Sequence, residues 1–570
     1  MSNKKNLSAI EFIKQASDSL RGSIVKSLQD ELSGAIREPD QALIKFHGMY
    51  QQDDRDRREE RAEKKLENLY TFMIRLRLPG GFLAPGQWVA LHHIAGEHST
   101  GTIKITTRQT VQLHGLFKSH IKPTIQAFNV AGLDSIATCG DVNRNVTCTS
   151  NPAQSKVHAE IFAFADKISR HLKPKSRSYY EIWLDQEKIS DKSIEEDSLY
   201  EDRYLPRKFK IGIAIPPNND LDIFSNDLGL IAIIEQDKLV GFNIAIGGGL
   251  SSTHGNALTY ARLGSVIGFV SGEENILAAI YAIIATQRDY GNRADRKLAR
   301  LKYTVDTYGL DFFLEELHKR TGFALTPARP YSFTEREDYY GWLQDYAGTW
   351  HYTLFVENGR VNDENGLQIK SAMYEIAQTG KSTFRFTGNQ NLIISDVSEV
   401  DKPQVNAILE GYGLLAHTKN TSLIRKNAMA CVALPTCPLA FAEAQRYLPS
   451  LISKIEPLIV KYDLQNEAII TRMTGCPNGC ARPNMAEIGF IGVSPGRYNL
   501  HLGADHAGER LNAVYRESLN EGEILAELDV LFKLFSKEKM KRESIGDFAQ
   551  RKKLVSLKAD SRIYLQVNQT

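Results

Sequence analysis

Much that would classify a chain at once is scarce or missing from these 570 residues. Six cysteines are too few for a disulfide framework at this length. No apolar run approaches the ~20 residues that a bilayer-spanning helix needs. The opening Met1-Ser2-Asn3-Lys4-Lys5-Asn6-Leu7-Ser8 leads into polar chain without the apolar centre of a signal peptide. A cytoplasmic, soluble protein is therefore expected. Neither sign of charge dominates: 70 basic residues face 68 acidic ones, a net of +2. That gives no global pull toward nucleic acid, so any anionic ligand must meet positive charge gathered locally. Phosphate-binding signatures fail as well. Gly380-Lys381-Ser382 lacks the upstream glycine of a P-loop, and Gly247-Gly248-Gly249 is not G-x-G-x-x-G. No nucleotide-phosphate site is therefore expected on this chain.

What is present reads as a multidomain α+β chain. Strands are predicted over 209–215, 229–234 and 242–246 from β-branched content between turn residues. Ser271 and Glu274 suggest a capping box before a helix over 276–286. A second helix is expected just after Cys437, with Pro438 at its first position. Phe441, Ala444, Leu448, Leu451, Ile455 and Leu458 recur at its period as a core stripe. Asp53–Lys65 is a mixed-charge run, expected as a solvated helix face. His92-His93 is read as an ordinary pair, because adjacent side chains on a regular element diverge.

A weak internal repeat runs through the chain. Lys104–Leu113 parallels Arg385–Ile394, Arg144-Asn145 parallels Lys426-Asn427, and Gly241-Phe242-Asn243 parallels Arg497-Tyr498-Asn499, in the same order. A duplicated module gives a pseudo-twofold molecule with a cleft between its halves. The first half holds the basic residues and the second holds thiols.

Those thiols carry most of the chemistry. Cys431 and Cys437 read C-x5-C, and Cys476 and Cys480 read C-x3-C within Thr474-Gly475-Cys476-Pro477-Asn478-Gly479-Cys480. Two distant pairs can give an iron–sulfur cube one thiolate per iron. Zinc knuckles use shorter arms, and buried free thiols are the bland reading; both remain alternatives, as does an iron–sulfur carrier. Cys139 and Cys148 are expected as structural thiols. A helix start at Cys437 would aim free N–H groups at its sulfur. Gly475 and Gly479 would let the backbone approach the cluster.

The second cysteine loop, with Glu487-Ile488-Gly489-Phe490 behind it, resembles the signature of the sirohaem and iron–sulfur nitrite/sulfite reductases. Phe46–Arg55, Leu205–Lys210 and Asn143–Val146 resemble the assimilatory, NADPH-linked haemoprotein (beta) branch of that family, and the likeness spans nearly the whole chain. It implies a three-domain, pseudo-twofold duplicated fold with cofactors in the cleft between halves. A polar arm would fill 1–71. Ferredoxin-like half-domains 72–136 and 340–418 would pair centrally, 137–339 would bind sirohaem and substrate, and 419–570 would hold the cluster. The cofactors would be one sirohaem and one [4Fe–4S] cluster held by Cys431, Cys437, Cys476 and Cys480, with Cys480 also the axial ligand of the haem iron. Arg75, Arg144, Lys208 and Lys210 would surround the distal haem face. Lys104, Arg108, His114, Arg207 and Asn478 would contact the cofactor, whose eight carboxylates need cationic partners. Lysine at 210, where nitrite-reducing relatives tend to carry a neutral amide, favours sulfite. The implied reaction reduces sulfite to sulfide by six electrons for cysteine synthesis, with an NADPH-oxidising flavoprotein (alpha) subunit as partner. A ferredoxin-dependent sulfite or nitrite reductase is the near alternative, and a zinc-stabilised binding protein the distant one.

Overall fold

The computed structural model describes residues 7–150, 155–175, 182–184, 187–190, 197–201, 203–364 and 366–556. Strands are numbered in chain order. Two five-stranded sheets form the centre. One runs β1 (Met49–Asp53), β2 (Tyr70–Arg75), β5 (Val111–Leu116), β4 (Ile103–Ile105) and β15 (Arg360–Val361). The other runs β13 (Gly341–Gln344), β14 (Trp350–Leu354), β19 (Leu392–Val397), β18 (Thr383–Phe386) and β3 (Phe82–Leu83). The two orders correspond strand for strand. Each half also lends a two-residue strand to the other's edge: Leu83 lies opposite Phe384, and Arg360 opposite Lys104. A single apolar core spans both sheets. Within it, the buried indole of Trp88 stacks 4.6 Å from Phe384, the kind of aromatic burial that dominates core energetics.

The repeated segment is a repeated hairpin. β4–β5 closes with Thr106 N–H donating to Thr110 O at 2.8 Å, and β18–β19 closes with Thr387 N–H donating to Asn391 O at 3.0 Å. The fourth turn residue is left-handed in both, Gln109 at φ 52° and Gln390 at φ 69°.

The outer two sheets are a second matched pair. β6 (Thr147–Cys148), β9 (Ile211–Ala214), β10 (Leu228–Glu235), β11 (Lys238–Ile246) and β12 (Ser265–Val270) lie in that order. So do β20 (Ala428–Ala430), β21 (Thr471–Thr474), β22 (Ile488–Ser494), β23 (Arg497–Leu502) and β24 (Ala513–Leu519). In each, the first three strands are parallel and the last two antiparallel. Two small hairpins, β7 (Ile182–Leu184) with β8 (Glu187–Ser190) and β16 (Asp363–Glu364) with β17 (Leu367–Gln368), stand apart from these sheets. The predicted strands 209–215, 229–234 and 242–246 fall on β9, β10 and β11.

Three local expectations differ. No capping box forms at Ser271: the helix Glu273–Tyr290 starts from Gly272, whose φ of 81° swings Ser271 away from the first turn. No helix starts at Cys437 either; the helix begins at Leu448 and runs to Lys461. The amides that would have opened it are engaged elsewhere, since Phe441 and Ala442 N–H donate to Gly475 O at 2.8 and 3.1 Å. Phe441 therefore leaves the stripe and is 41% exposed, while Leu448, Leu451 and Ile455 are buried. Finally, the N-terminal stretch is polar only in part. Leu20, Ile36, Leu43, Phe46 and Met49 are core residues, and β1 is an edge strand of the first sheet.

Candidate functional site

The site lies where the two outer sheets meet. Lys208 and Lys210 stand on the extended approach to β9, either side of Phe209. Phe209 N–H donates to Val142 O at 3.0 Å, and Arg144 N–H donates to Phe209 O at 2.8 Å. Side chains alternate along extended chain. Burying Phe209 therefore turns both lysines the other way, into a cavity that opens to solvent. Arg108, at the tip of the β4–β5 hairpin, lines the same cavity, with Asn478 and Cys480 from the loop after β21. Cys480 is the exposed member of the four cysteines.

The charge here is one-sided. Among the described residues neither lysine Nζ has an ion-pair or hydrogen-bond partner. Burial pulls Lys210 down to about 7, with Arg300 and Arg108 adding repulsion against the attraction of Asp227. Burial and then Arg207 hold Lys208 well below the ordinary lysine range. Arg108 is fixed by Asn226 Oδ1 at 2.7 Å and Ile211 O at 2.8 Å, yet its Nε is buried without an acceptor. A pocket of this kind is costly when empty and stabilised by an anion. Its chemistry suits a small oxyanion or the carboxylates of a larger anionic group.

The other basic residues form a second group beside it. Arg75 and Arg144 both donate to Thr138 O, at 3.2 and 2.7 Å, and Arg75 also reaches Cys139 Sγ at 3.1 Å. Arg144 lies beside Tyr50. Burial works against the Arg144 charge, but Tyr50, Cys139 and Asp141 outweigh it. Arg207 lies 3.9 Å from Asp141, and burial lowers it to about 10. Lys208 feels both Arg207 and Arg144, which links the two groups. Lys104 and His114 do not line the cavity. Lys104 donates to Asn358 O across the β4–β15 pair and faces Cys431; burial lowers it to about 7. His114 sits between Gln52 and Gln112, and burial with Lys104 nearby lowers it to about 3, so the ring is neutral.

The four thiols converge from two loops. Gly475 makes this possible: a Cβ there would come within 2.7 Å of Ala433 Cβ in the Cys431–Cys437 loop and 2.4 Å of Ala442 O beyond it, so only glycine lets the two cysteine loops pack together. Burial and the neighbouring sulfurs push Cys431 well above the usual thiol range, and burial and Cys480 push Cys437 up to about 12. Such a group is stable as thiolates only around bound cations, which deprotonate coordinating sulfur outright. Among the described residues no three His, Cys, Asp or Glu side chains stand close enough for a single metal ion. The C-x5-C arm of Cys431 and Cys437 is longer than a zinc knuckle's, and suits ligands spread over several irons. Backbone N–H groups of Leu439 and Ala440 do face the Cys437 sulfur, from a turn rather than the expected helix.

Some of the site lay outside the sequence reading. Arg300 lines the cavity, held by Asp227 at 2.8 and 3.0 Å. Arg482 lines it too and reaches Asp222, 2.9 Å away, in the opposite half. Asp222 is fully buried and also takes Arg336 and Arg472. No motif marks these residues; the available signal was position, with Arg482 two places after Cys480 and Arg300 just before the helix Leu301–Tyr308.

Comparison with known proteins fits this geometry. A model of the nitrite and sulphite reductase 4Fe-4S domain matches residues 164–325. A model of the nitrite/sulfite reductase ferredoxin-like half domain matches 64–131 and 343–412. The first match falls on the copy without the four cysteines, whose second copy repeats its sheet. A sulfite reductase [NADPH] hemoprotein beta-component from Leptospira biflexa is 60% identical over 551 residues, 97% of this chain and 99% of that one. Its counterparts in Staphylococcus haemolyticus and Geobacillus kaustophilus are 50% and 51% identical, over 97% and 96% of this chain and 96% of each relative. The solved structure of Mycobacterium tuberculosis NirA superposes with a TM-score of 0.75 at 23% identity, over 96% of this chain and 97% of that one, a likeness of fold. The chain belongs to the nitrite and sulfite reductase family.

Proposed function

We propose that this chain is the haemoprotein component of an NADPH-dependent sulfite reductase, reducing sulfite to sulfide with six electrons for cysteine synthesis. The observation that carries this reading is the meeting of Cys480 with Lys208, Lys210, Arg108 and Arg300 at one cavity. When bound, a sirohaem would supply the iron chemistry for sulfite and a [4Fe–4S] cluster would supply electrons, with Cys480 among the residues that would hold them. Cys431, Cys437 and Cys476 would complete the cluster.

The chain's own residues then have separable tasks. Arg108, Arg300, Arg207 and Asn478 would hold cofactor carboxylates, while Lys104 and His114 would act from the cluster side. Arg75 and Arg144 are pinned by Thr138 and present fixed donors to the oxyanion. Among the described residues the Lys208 and Lys210 amines in this cavity have no partner, so they would take up sulfite and supply protons. Sulfite, six electrons and seven protons give hydrosulfide and three waters, and each departing oxygen needs protons. An amine near pH 7 is suited to that transfer, because it gives up its proton readily and regains it from solvent. An anion beside Lys210 raises its pKa, so the proton is held until the oxygen departs.

The partner in this proposal is an NADPH-oxidising flavoprotein, and the setting is the cytoplasm, where thiols stay reduced. The domain borders proposed are 1–71, 72–136 with 340–418, 137–339 and 419–570. Among the described residues no helix is long and apolar enough to cross a membrane. The test is the visible spectrum of the purified protein under reducing, anaerobic conditions before and after sulfite. A sirohaem spectrum that shifts supports the reading; a colourless protein made with ample iron and sirohaem defeats it. Turnover with NADPH and flavoprotein, against reduced ferredoxin, decides the donor.

A further inference from the structure

The loop 249–262 forms one wall of the cavity, through Leu250 and Ser251. Its two ends are tied together: Gly249 N–H donates to Arg262 O at 2.8 Å, and Arg262 N–H returns to Gly249 O at 2.9 Å. Its inner side touches the cysteine loop. Ser252 N–H donates to Pro477 O at 3.0 Å, next to Cys476, and Leu250 Cβ lies 3.4 Å from where a Gly479 Cβ would stand.

Beneath this strap sits Lys302, on the helix Leu301–Tyr308, with 0% exposure. Its Nζ donates to Gly249 O at 3.1 Å, to Ser251 O at 2.8 Å and to Tyr260 O. The rings of Tyr303 and Tyr260 lie 4.8 and 5.5 Å away. Among the described residues no carboxylate pairs with it. An ammonium has three protons, and here three carbonyls of one loop take them. A buried lysine without a counter-ion is expensive. The arrangement makes sense as a staple on that loop.

We propose that Lys302 is a positioning residue whose ammonium gathers the 249–262 strap, and so fixes both the cavity wall and the Cys476–Cys480 loop that the strap grips at Pro477. The consequence for sulfite rests on the function proposed above; the staple itself does not. Hydrogen–deuterium exchange on the holoprotein reads the staple, and sulfite kinetics read its effect. In Lys302→Met the Ser252 and Arg262 amides should exchange about tenfold faster or more, with Ile231 and Asn243 in the sheet unchanged. KM for sulfite should rise about tenfold with kcat within about threefold, and Lys302→Arg should restore part of both. Unchanged exchange in the strap overturns the staple. Faster exchange with wild-type KM and cofactor spectrum overturns its role at the cavity. If Lys302→Met does not fold, Ser252→Pro decides: it removes the N–H that grips Pro477 and leaves Lys302 alone, and an unchanged KM there overturns the proposal. If sulfite is not the substrate, the exchange result still stands or falls by itself.

Discussion

The two outer sheets have one topology, yet they hold opposite chemistry. Lys210 precedes β9 as Ile470 precedes β21: the N–H of Leu228 donates to Lys210 O, the N–H of Ile488 to Ile470 O, each at 3.1 Å. Pro217-Asn218-Asn219-Asp220-Leu221-Asp222 of the first copy stands against Pro477-Asn478-Gly479-Cys480-Ala481-Arg482 of the second. The position that holds an unpaired cation in one copy is apolar in the other. The position that holds the exposed thiol in one holds a buried carboxyl, Asp220, in the other, which burial raises to about 7. Duplication supplies two equivalent loops at one cleft. Divergence leaves Lys210 on the approach to one copy's sheet and Cys480 on the other copy's loop; in the proposed function the first would serve the anion and the second the metal.

The most damaging way to break this division is at its sulfur. Cys480→Ser should cost cluster and haem spectra together and lower sulfite reduction at least about a thousandfold, roughly 4 kcal/mol of barrier. Intact spectra with intact activity would remove Cys480 from the shared position. Next is the join between copies. Asp222 and Arg482 occupy equivalent left-handed positions, at φ 49° and 58°, and pair with each other across the cleft. Burial works against the Asp222 charge, but Arg336, Arg472 and Arg482 outweigh it and hold the carboxyl at about 2. Asp222→Asn strands three buried guanidiniums. It should destabilise the protein by about 3–5 kcal/mol, read as a drop in melting temperature. A drop no larger than that of a surface substitution would show that the halves cohere by apolar packing alone.

Charge in the first copy can be weakened more gently. Lys210→Asn keeps a polar side chain and removes the cation, and should lower sulfite reduction about ten- to a hundredfold while sparing nitrite reduction more. Equal loss on both anions would strip Lys210 of its discriminating role and leave Lys208 as the general anion contact.

How much of this was legible beforehand depends on how local the signal is. The cysteine spacing and the Gly475–Cys480 loop are contiguous, so the thiol centre could be read directly. The hairpin Lys104–Leu113 and its partner Arg385–Ile394 could be matched because both keep the same turn chemistry around a left-handed glutamine. The exchange of β3 and β15 could not, since two residues carry no periodicity. Pro438 and the stripe after it imitate a helix start at Cys437; only the three-dimensional fact that Gly475 O takes the Phe441 and Ala442 amides forbids it. Arg300, Arg482 and Lys302 were invisible for a related reason. A lone basic residue on a helix or loop is ordinarily a solvated charge, and what makes these three different is distant acceptors: Asp227, Asp222 and the carbonyls of the strap.

The smallest expected effect tests whether the copies also differ in their response to pH. Asp227 and Glu487 are equivalent acids, each just before a strand. Asp227 Oδ2 accepts from Lys210 N–H at 2.9 Å and Glu487 Oε2 from Ile470 N–H at 3.0 Å. Their second partners diverge: Asp227 takes Arg300, whereas Glu487 takes His506 at 3.3 Å, and His506 also reaches Glu337 at 2.7 Å. Burial opposes the imidazolium, but Glu337 and Glu487 outweigh it and raise His506 to about 10. A folded-state pKa above the unfolded value of ~6.5 stabilises fully below pH ~6.5, and the benefit fades as pH climbs through about 10. The first copy has an arginine, Arg300, in place of that imidazole. Wild-type melting temperature should therefore fall between pH 6.5 and 10 by an amount worth about 1–3 kcal/mol, and His506→Gln should flatten that slope. A slope that survives the substitution would place the alkaline sensitivity outside the Glu337–His506–Glu487 triad and leave the two copies alike in this respect.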